Sequence, residues 1–246
     1  MTHDSESPRA WRAVLEHVER RLLDGDLLPG ERLPGERALA ADLGVGRSSV
    51  REALRVLEAM GLIRTASGSG PNAGAIIVAT PGGAMSALMR LQVAAHGFPV
   101  ADIVRTRLIL ETSVAGELAD AASGTGTAPD LDAAERLLDA MDSPDLEPAE
   151  FLALDAAFHL ALAEASGNQV VTATMAGLRS GIEGYALDGL ARIDDWHATS
   201  ARLRSEHRGV VEAIRAADAA AARSRIHDHI SGYYAETFPE TTPVNA

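Results

Sequence analysis

The sequence predicts a mainly α chain in two parts: an N-terminal winged helix-turn-helix, helical with a small β-hairpin, and a C-terminal all-α bundle. Three observations predict it. Short helical segments near the N-terminus are separated by glycine turns and followed by two β-prone runs. Beyond Pro81-Gly82-Gly83 the chain becomes rich in alanine and leucine at helical spacing, and no alternating strand pattern returns. Charge divides at the same place: residues 1–80 hold ten arginines against eleven carboxylates, and the remainder holds twelve against twenty-four. The domains expected are therefore 8–80 and 81–240.

Taken in order, Trp11, Val14, Leu15, Val18 and Leu22 follow the spacing of one helix face, and Gly25 with Pro29-Gly30 ends that helix. A second helix opens at Leu33-Pro34-Gly35-Glu36-Arg37 and runs through Leu43. Gly44-Val45-Gly46 makes a tight turn, and Ser48-Ser49 is expected to cap a third helix reaching Met60. After Gly61, Leu62-Ile63-Arg64 and Ala75-Ile76-Ile77-Val78 form a hairpin around a glycine-rich tip, Ser67 to Gly74, which would be the wing. Helices then follow near 84–95, 100–122, 130–142, 149–166, 168–190, 197–217 and 219–237. The breaks fall at His96-Gly97-Phe98-Pro99, at Ser123 to Pro129 and at Ser143-Pro144.

Composition bounds the function. A chain of 246 residues with 46% hydrophobic content can bury two modest cores. No apolar run approaches the roughly 20 residues of a membrane span, and Met1 to Pro8 is polar, so a cytoplasmic protein with no membrane association is expected. The chain has no cysteine, so a metal could be held only by His, Asp or Glu. The net charge of −13 weighs against phosphate binding in general. Within 32–64, however, six arginines stand against Glu36, Asp42, Glu52 and Glu58, which permits a locally basic face.

In a helix-turn-helix the second helix of the motif presents its first turns to the major groove. Arg47, Ser48, Ser49 and Arg51 lie there, where Arg spans guanine acceptors and Ser reaches phosphate. Arg37, on the preceding helix, is placed to reach the backbone or an adjacent base. A small helical hairpin with solvated arginines is the alternative. The almost continuous stretch from Leu33 to Ile63 resembles the DNA-binding signature of the GntR family of bacterial regulators. That resemblance implies operator DNA as partner, with Arg37, Arg47 and Arg51 as the main contacts and Ser48 and Ser49 as phosphate or base-edge contacts. The wing tip is longer and less basic than is usual in the family.

Asp155 and His159 are four residues apart and so share a helix face, at a separation suited to one metal ion. His207 and His229, on the last two expected helices, would complete a four-ligand interior site drawn from three helices. Solvated or satisfied core histidines are the alternative, and of His227 and His229, two apart, only one can join. The run Glu206-His207-Arg208 through His229-Ile230, with Asp155, Phe158-His159 and Ala165-Ser166-Gly167-Asn168, resembles the FCD sensor domain of FadR-type GntR regulators. The resemblance implies a divalent metal, zinc or nickel, on Asp155, His159, His207 and His229; a homodimer is expected because a pseudo-palindromic operator requires a two-fold protein. The motif Arg107-Leu-Ile-Leu-Glu111 matches as well, and implies that Arg107 faces the pocket. A small organic acid effector would then bind the metal, with Arg107 clamping a second oxyanion and Asn168 donating a hydrogen bond. An i, i+4 pair with Glu111 is the alternative for Arg107, and a helix cap for Asn168. The expected protein is a transcription regulator, a repressor released by its effector. A metal-dependent hydrolase is disfavoured because no His-Glu-x-x-His, Gly-x-Ser-x-Gly or phosphate loop occurs. An orphan DNA-binding protein with a structural metal stays open.

Overall fold

Glycine punctuation and apolar spacing set the N-terminal elements. A computed structural model describes residues 10–66, 74–78, 82–95, 97–124, 128–143 and 146–238. The chain divides into two units, Met1–Ala84 and Met85–Ala246. In the first, α1 (Ala10–Leu23), α2 (Glu36–Leu43) and α3 (Arg47–Ala59) precede strands β1 (Ile63–Ala66) and β2 (Gly74–Ile77). Helix α2 ends at Gly44, whose φ of 63° is open to glycine at no steric cost, and the Val45 amide closes the turn onto the Ala40 carbonyl. The cap of α3 is Gly46 rather than the serines: Ser48 and Ser49 sit inside the first turn, and no side chain caps the helix.

Strands β1 and β2 pair antiparallel with Ile63 opposite Ile77 and Ala66 opposite Gly74. An isolated bridge from Arg32 to Ile76 adds the chain before α2 to the other edge of β2. Alternation places Ala75 and Ile77 inward, where they join Val14, Val18, Leu39, Val50, Leu57 and Ile63 in one core. Glu58 ties α3 to β1 by accepting hydrogen bonds from the Thr65 amide (2.8 Å) and hydroxyl (2.6 Å). The rest of the expected wing tip, Ser67 to Ala73, lies outside the described residues.

The second unit is helical among its described residues: α4 (Gly82–Ala94, straddling the division), α5 (Val100–Ser123), α6 (Asp132–Met141), α7 (Pro148–Ala165), α8 (Gln169–Gly189), a 3-10 turn (Leu190–Arg192), α9 (Trp196–Arg215) and α10 (Ala219–Thr237). Starts are written locally. Glu147 and Glu150 form a capping box around Pro148 at α7, and Asn168, Asp195 and Asp218 cap α8, α9 and α10 through their side chains. Helix α10 packs along α5 and α9, and α7 along α6 and α8. Gly116 of α5 leaves room for the Arg223 guanidinium of α10, whose Nε would lie 2.2 Å from a Cβ at that position. Phe151, Phe158, Met175, Leu203, Ile214 and Ile226 fill the interior. No helix among the described residues is long and apolar enough to cross a membrane.

Candidate metal centre and nucleic-acid interface

Helices α7, α9 and α10 turn their polar buried positions toward one point. Asp155 and His159 of α7, His207 of α9 and His229 of α10 each offer one ligand atom, all within 4.8 Å of one another and all buried. The Nε2 atoms of His159 and His207 each lie 3.1 Å from Nε2 of His229. Asp155 Oδ1 stands 3.0 Å from His207 Nε2 and 3.8 Å from His229 Nε2. His227, by contrast, is exposed, so α10 turns His229 alone into the cluster.

A surrounding layer of carboxylates orients two of the rings. Glu206 Oε2 accepts from His229 Nδ1 at 2.9 Å, and Arg202 Nη1 holds the other Glu206 oxygen at 2.8 Å. Glu111, on α5, contacts His159 Nδ1 through Oε2. A proton on Nδ1 of each ring, beside its carboxylate, would leave the two Nε2 lone pairs facing each other across 3.1 Å with no hydrogen between them. Such an arrangement is repulsive until a cation lies between the nitrogens. The donor set therefore fits a divalent metal ion, with imidazoles and one carboxylate suiting zinc or nickel.

Charge states agree with that chemistry. Burial, reinforced by the neighbouring His207, brings the His229 imidazole down to about 4, and burial likewise lowers His207. Burial alone would raise the Asp155 carboxyl, but the hydrogen bond from His207 and the adjoining imidazoles hold it well below the usual carboxylate range. At neutral pH His207 and His229 thus offer neutral imidazoles and Asp155 an anionic carboxylate, the forms a metal requires.

Beside the cluster lies a small cavity of about 10 Å³, room for roughly one water. Arg107, Tyr185 and Tyr233 line it with Asp155, His229 and apolar residues. Arg107 is 4% exposed and donates from Nε to Glu111 Oε1 (2.7 Å) and from Nη1 to the Tyr185 hydroxyl. Its Nη2 has no hydrogen-bond partner among the described residues. Both readings of Arg107 are thus compatible in one side chain: an ion pair with Glu111, and a donor left over at the cavity. Burial works against the Glu111 carboxyl, yet Arg107 and then His159 bring it down to about 2.

For Asn168 and Ser49 the structure corrects the roles expected from the sequence. Asn168 is exposed and is not among the cavity-lining residues; its Oδ1 accepts from the Val170 and Val171 amides at 3.2 Å, so it serves as the α8 cap. Ser49 is 6% exposed because it falls on the α3 face that carries Val50, Ala53 and Leu57 into the core, which removes it from the outer surface. Arg37, Arg47, Ser48 and Arg51 are exposed on the helix-turn-helix. Arg51 forms a two-point ion pair with Glu36 at the start of α2, at 2.9 and 3.3 Å, and that hydrogen-bonded pair lowers the Glu36 carboxyl. Sequence reasoning gave no role to Glu206, Tyr185 or Glu36. Glu206 directly precedes a ligand and could have been found there, whereas nothing in the pattern marks Tyr185.

A winged helix-turn-helix with a separate helical unit that buries a His/Asp cluster is the architecture of a DNA-binding regulator. Residues 11–71 match the bacterial regulatory proteins of the gntR family and residues 102–232 match the FCD domain. The chain belongs to the GntR family of transcription regulators and carries an FCD domain. It is 31% identical over 170 residues to the Glc operon transcriptional activator of Escherichia coli (strain K12), a match spanning 67% of this chain and 64% of that one. It is 29% identical to the transcriptional repressor NanR of Cronobacter sakazakii over 90% of this chain and 83% of that one. The solved structure of Streptococcus agalactiae GntR shares the fold, with a TM-score of 0.54 at 24% identity, covering 91% of this chain and 98% of that one.

Proposed function

We propose that this regulator is a homodimeric repressor that leaves its operator when a small organic acid binds beside a divalent ion held by Asp155, His159, His207 and His229. The observation that carries the reading is the convergence of three imidazole Nε2 atoms and a carboxylate next to a buried arginine with an unused donor. Zinc or nickel held there would supply Lewis acidity toward a ligand oxygen. The chain's own residues do the rest: Glu111 and Glu206 fix ring orientation, Arg107 meets an oxyanion, and Leu152, Ile182 and Leu203 exclude water. Because the cavity has room for only about one water, an acid enters by moving its walls. That movement gives the effector a preference for one of two conformations, which is what coupling to DNA requires.

On the DNA side, Arg37, Arg47, Ser48 and Arg51 supply the contacts, and a two-fold dimer reads a pseudo-palindromic site. An activator and a repressor both occur among the relatives, so the sign is the point to test. Fluorescence anisotropy of an operator fragment, titrated with the metal-loaded protein with and without glycolate or lactate, measures it directly. Repression with release predicts operator affinity roughly 5- to 150-fold weaker in the acid, the range of ordinary coupling energies. Unchanged affinity for every acid tried, or tighter binding, removes the model.

A further inference from the structure

The Arg-x-x-x-Glu spacing of Arg107 and Glu111 recurs at Arg202 and Glu206, and each pair ends on an imidazole. On α5, Glu111 meets Arg107 Nε with Oε1 and His159 Nδ1 with Oε2. On α9, Glu206 accepts from Arg202 Nη1 with Oε1 (2.8 Å) and from His229 Nδ1 with Oε2 (2.9 Å). The two relays differ in what holds the arginine. Arg107 and Glu111 have side chains only 5% and 6% exposed, so packing fixes them. Arg202 and Glu206 are 38% and 28% exposed, and an ion pair that open to water holds little by itself. What fixes Arg202 is a second carboxylate. Its Nη2 donates to Glu236 of α10, about two turns beyond His229, and Glu236 Oε1 accepts from the buried Thr199 hydroxyl of α9 at 3.1 Å. The chain Thr199, Glu236, Arg202, Glu206, His229 therefore crosses from α9 to α10, back again, and over once more to the ligand.

We propose that Arg202, braced by Glu236, is a positioning residue of the metal centre, holding Glu206 in the rotamer that orients the His229 ring. The inference rests on the metal reading above and extends it to two residues outside the ligand set. Glu206 alone would divide its time between the ring and water, because a partly exposed glutamate has several rotamers of similar energy. A guanidinium on the second oxygen restricts the carboxylate to a rotamer that serves both partners, and a ring already turned toward the cluster costs an ion less to bind. Since the brace spans two helices, the grip of His229 on a metal depends on how α9 and α10 are seated against each other well away from the ligands.

The test measures zinc affinity of the full chain by competition with a chromophoric chelator. Glu206→Gln should lose roughly 10- to 100-fold, as removal of an outer carboxylate does, and Arg202→Met about tenfold, the lower end of that range. Arg202→Lys, which keeps a cation beside Glu206, should recover most of the Arg202→Met loss. Glu236→Ala, at the far end of the brace, should lose about threefold. Arg179→Met is the control: Arg179 and Glu183 form an i, i+4 pair of similar exposure on α8 with no imidazole partner among the described residues, so zinc affinity should stay within about twofold. Wild-type affinity in Arg202→Met overturns the proposal, and so do equal losses in Arg202→Met and Arg179→Met or a failure of lysine to rescue. Whatever Arg202→Met does to folding, wild-type affinity in Glu236→Ala removes the brace. Absence of zinc binding by the wild type defeats the metal reading itself.

Discussion

Replacing Glu111 by glutamine keeps the side chain's volume, removes its charge and leaves the Arg107 guanidinium buried without a counterion. Arg107 and Glu111 have side chains only 5% and 6% exposed, so solvent does little to screen the loss. A carboxyl drawn from 4.5 to about 2 is favoured in its charged form by roughly 3 kcal/mol. Removing one partner of a buried pair costs about 3–5 kcal/mol by independent experience. The two routes agree, and at about 2–4 °C per kcal/mol for a unit of this size they predict a melting point lowered by roughly 10 °C. The assay is far-UV circular dichroism of chelator-treated protein, which separates the ion pair from any metal contribution. The sign with pH follows from the lowered carboxyl: wild type holds this stability above about pH 4.5 and loses it as pH falls toward 2, while Glu111→Gln lacks that acid-sensitive portion. Removing the cation as well, in Arg107→Met/Glu111→Gln, should recover part of the loss. A shift under about 2 °C, or strict additivity of the two changes, would refute the idea that the pair is coupled and desolvated.

Truncation of a ligand in His207→Ala or Asp155→Asn should lower metal affinity by more than the roughly 10- to 100-fold seen for outer partners of such sites, read as metal per chain after dialysis. Asn168→Ala should cost about 1 kcal/mol of stability through the lost α8 cap and leave acid binding unaltered; a loss of acid affinity would return Asn168 to the pocket. On DNA, Arg51→Ala should weaken operator binding by about ten- to a hundredfold. Ser49→Ala, altering a buried position, should stay within about twofold; equal losses from the two variants would contradict the assigned faces.

Much of this architecture could be read in advance because its signals are local. Apolar spacing in Trp11–Leu22, the Gly44-Val45-Gly46 turn and the Asp and Asn caps each act within a few residues, so the helices fell near their expected limits. The cluster of Asp155, His159, His207 and His229 was legible for a different reason: a four-residue spacing and a family resemblance select it, and burial of all four agrees. Three features escaped. Ser49 lies one position past an exposed serine, and helical phase that close to a terminus depends on where the cap falls, which moved from Ser48 to Gly46. Tyr185 meets Arg107 across 78 residues of chain, and Glu36 meets Arg51 across a turn. Such contacts depend on packing between elements, which periodicity does not encode.

The clamp between Glu36 and Arg51 bears on the tempo of DNA recognition. A long guanidinium arm normally samples many rotamers and surrenders roughly 0.5–1.5 kcal/mol of freedom when a partner immobilises it. Arg51 has surrendered part of that freedom before DNA arrives, because a carboxylate at the start of α2 already holds it in a fork. The same carboxylate competes for the guanidinium, so a DNA group that takes Arg51 has to displace Glu36 first. Under the proposed function, engagement of DNA thus begins with an exchange of partners at Arg51.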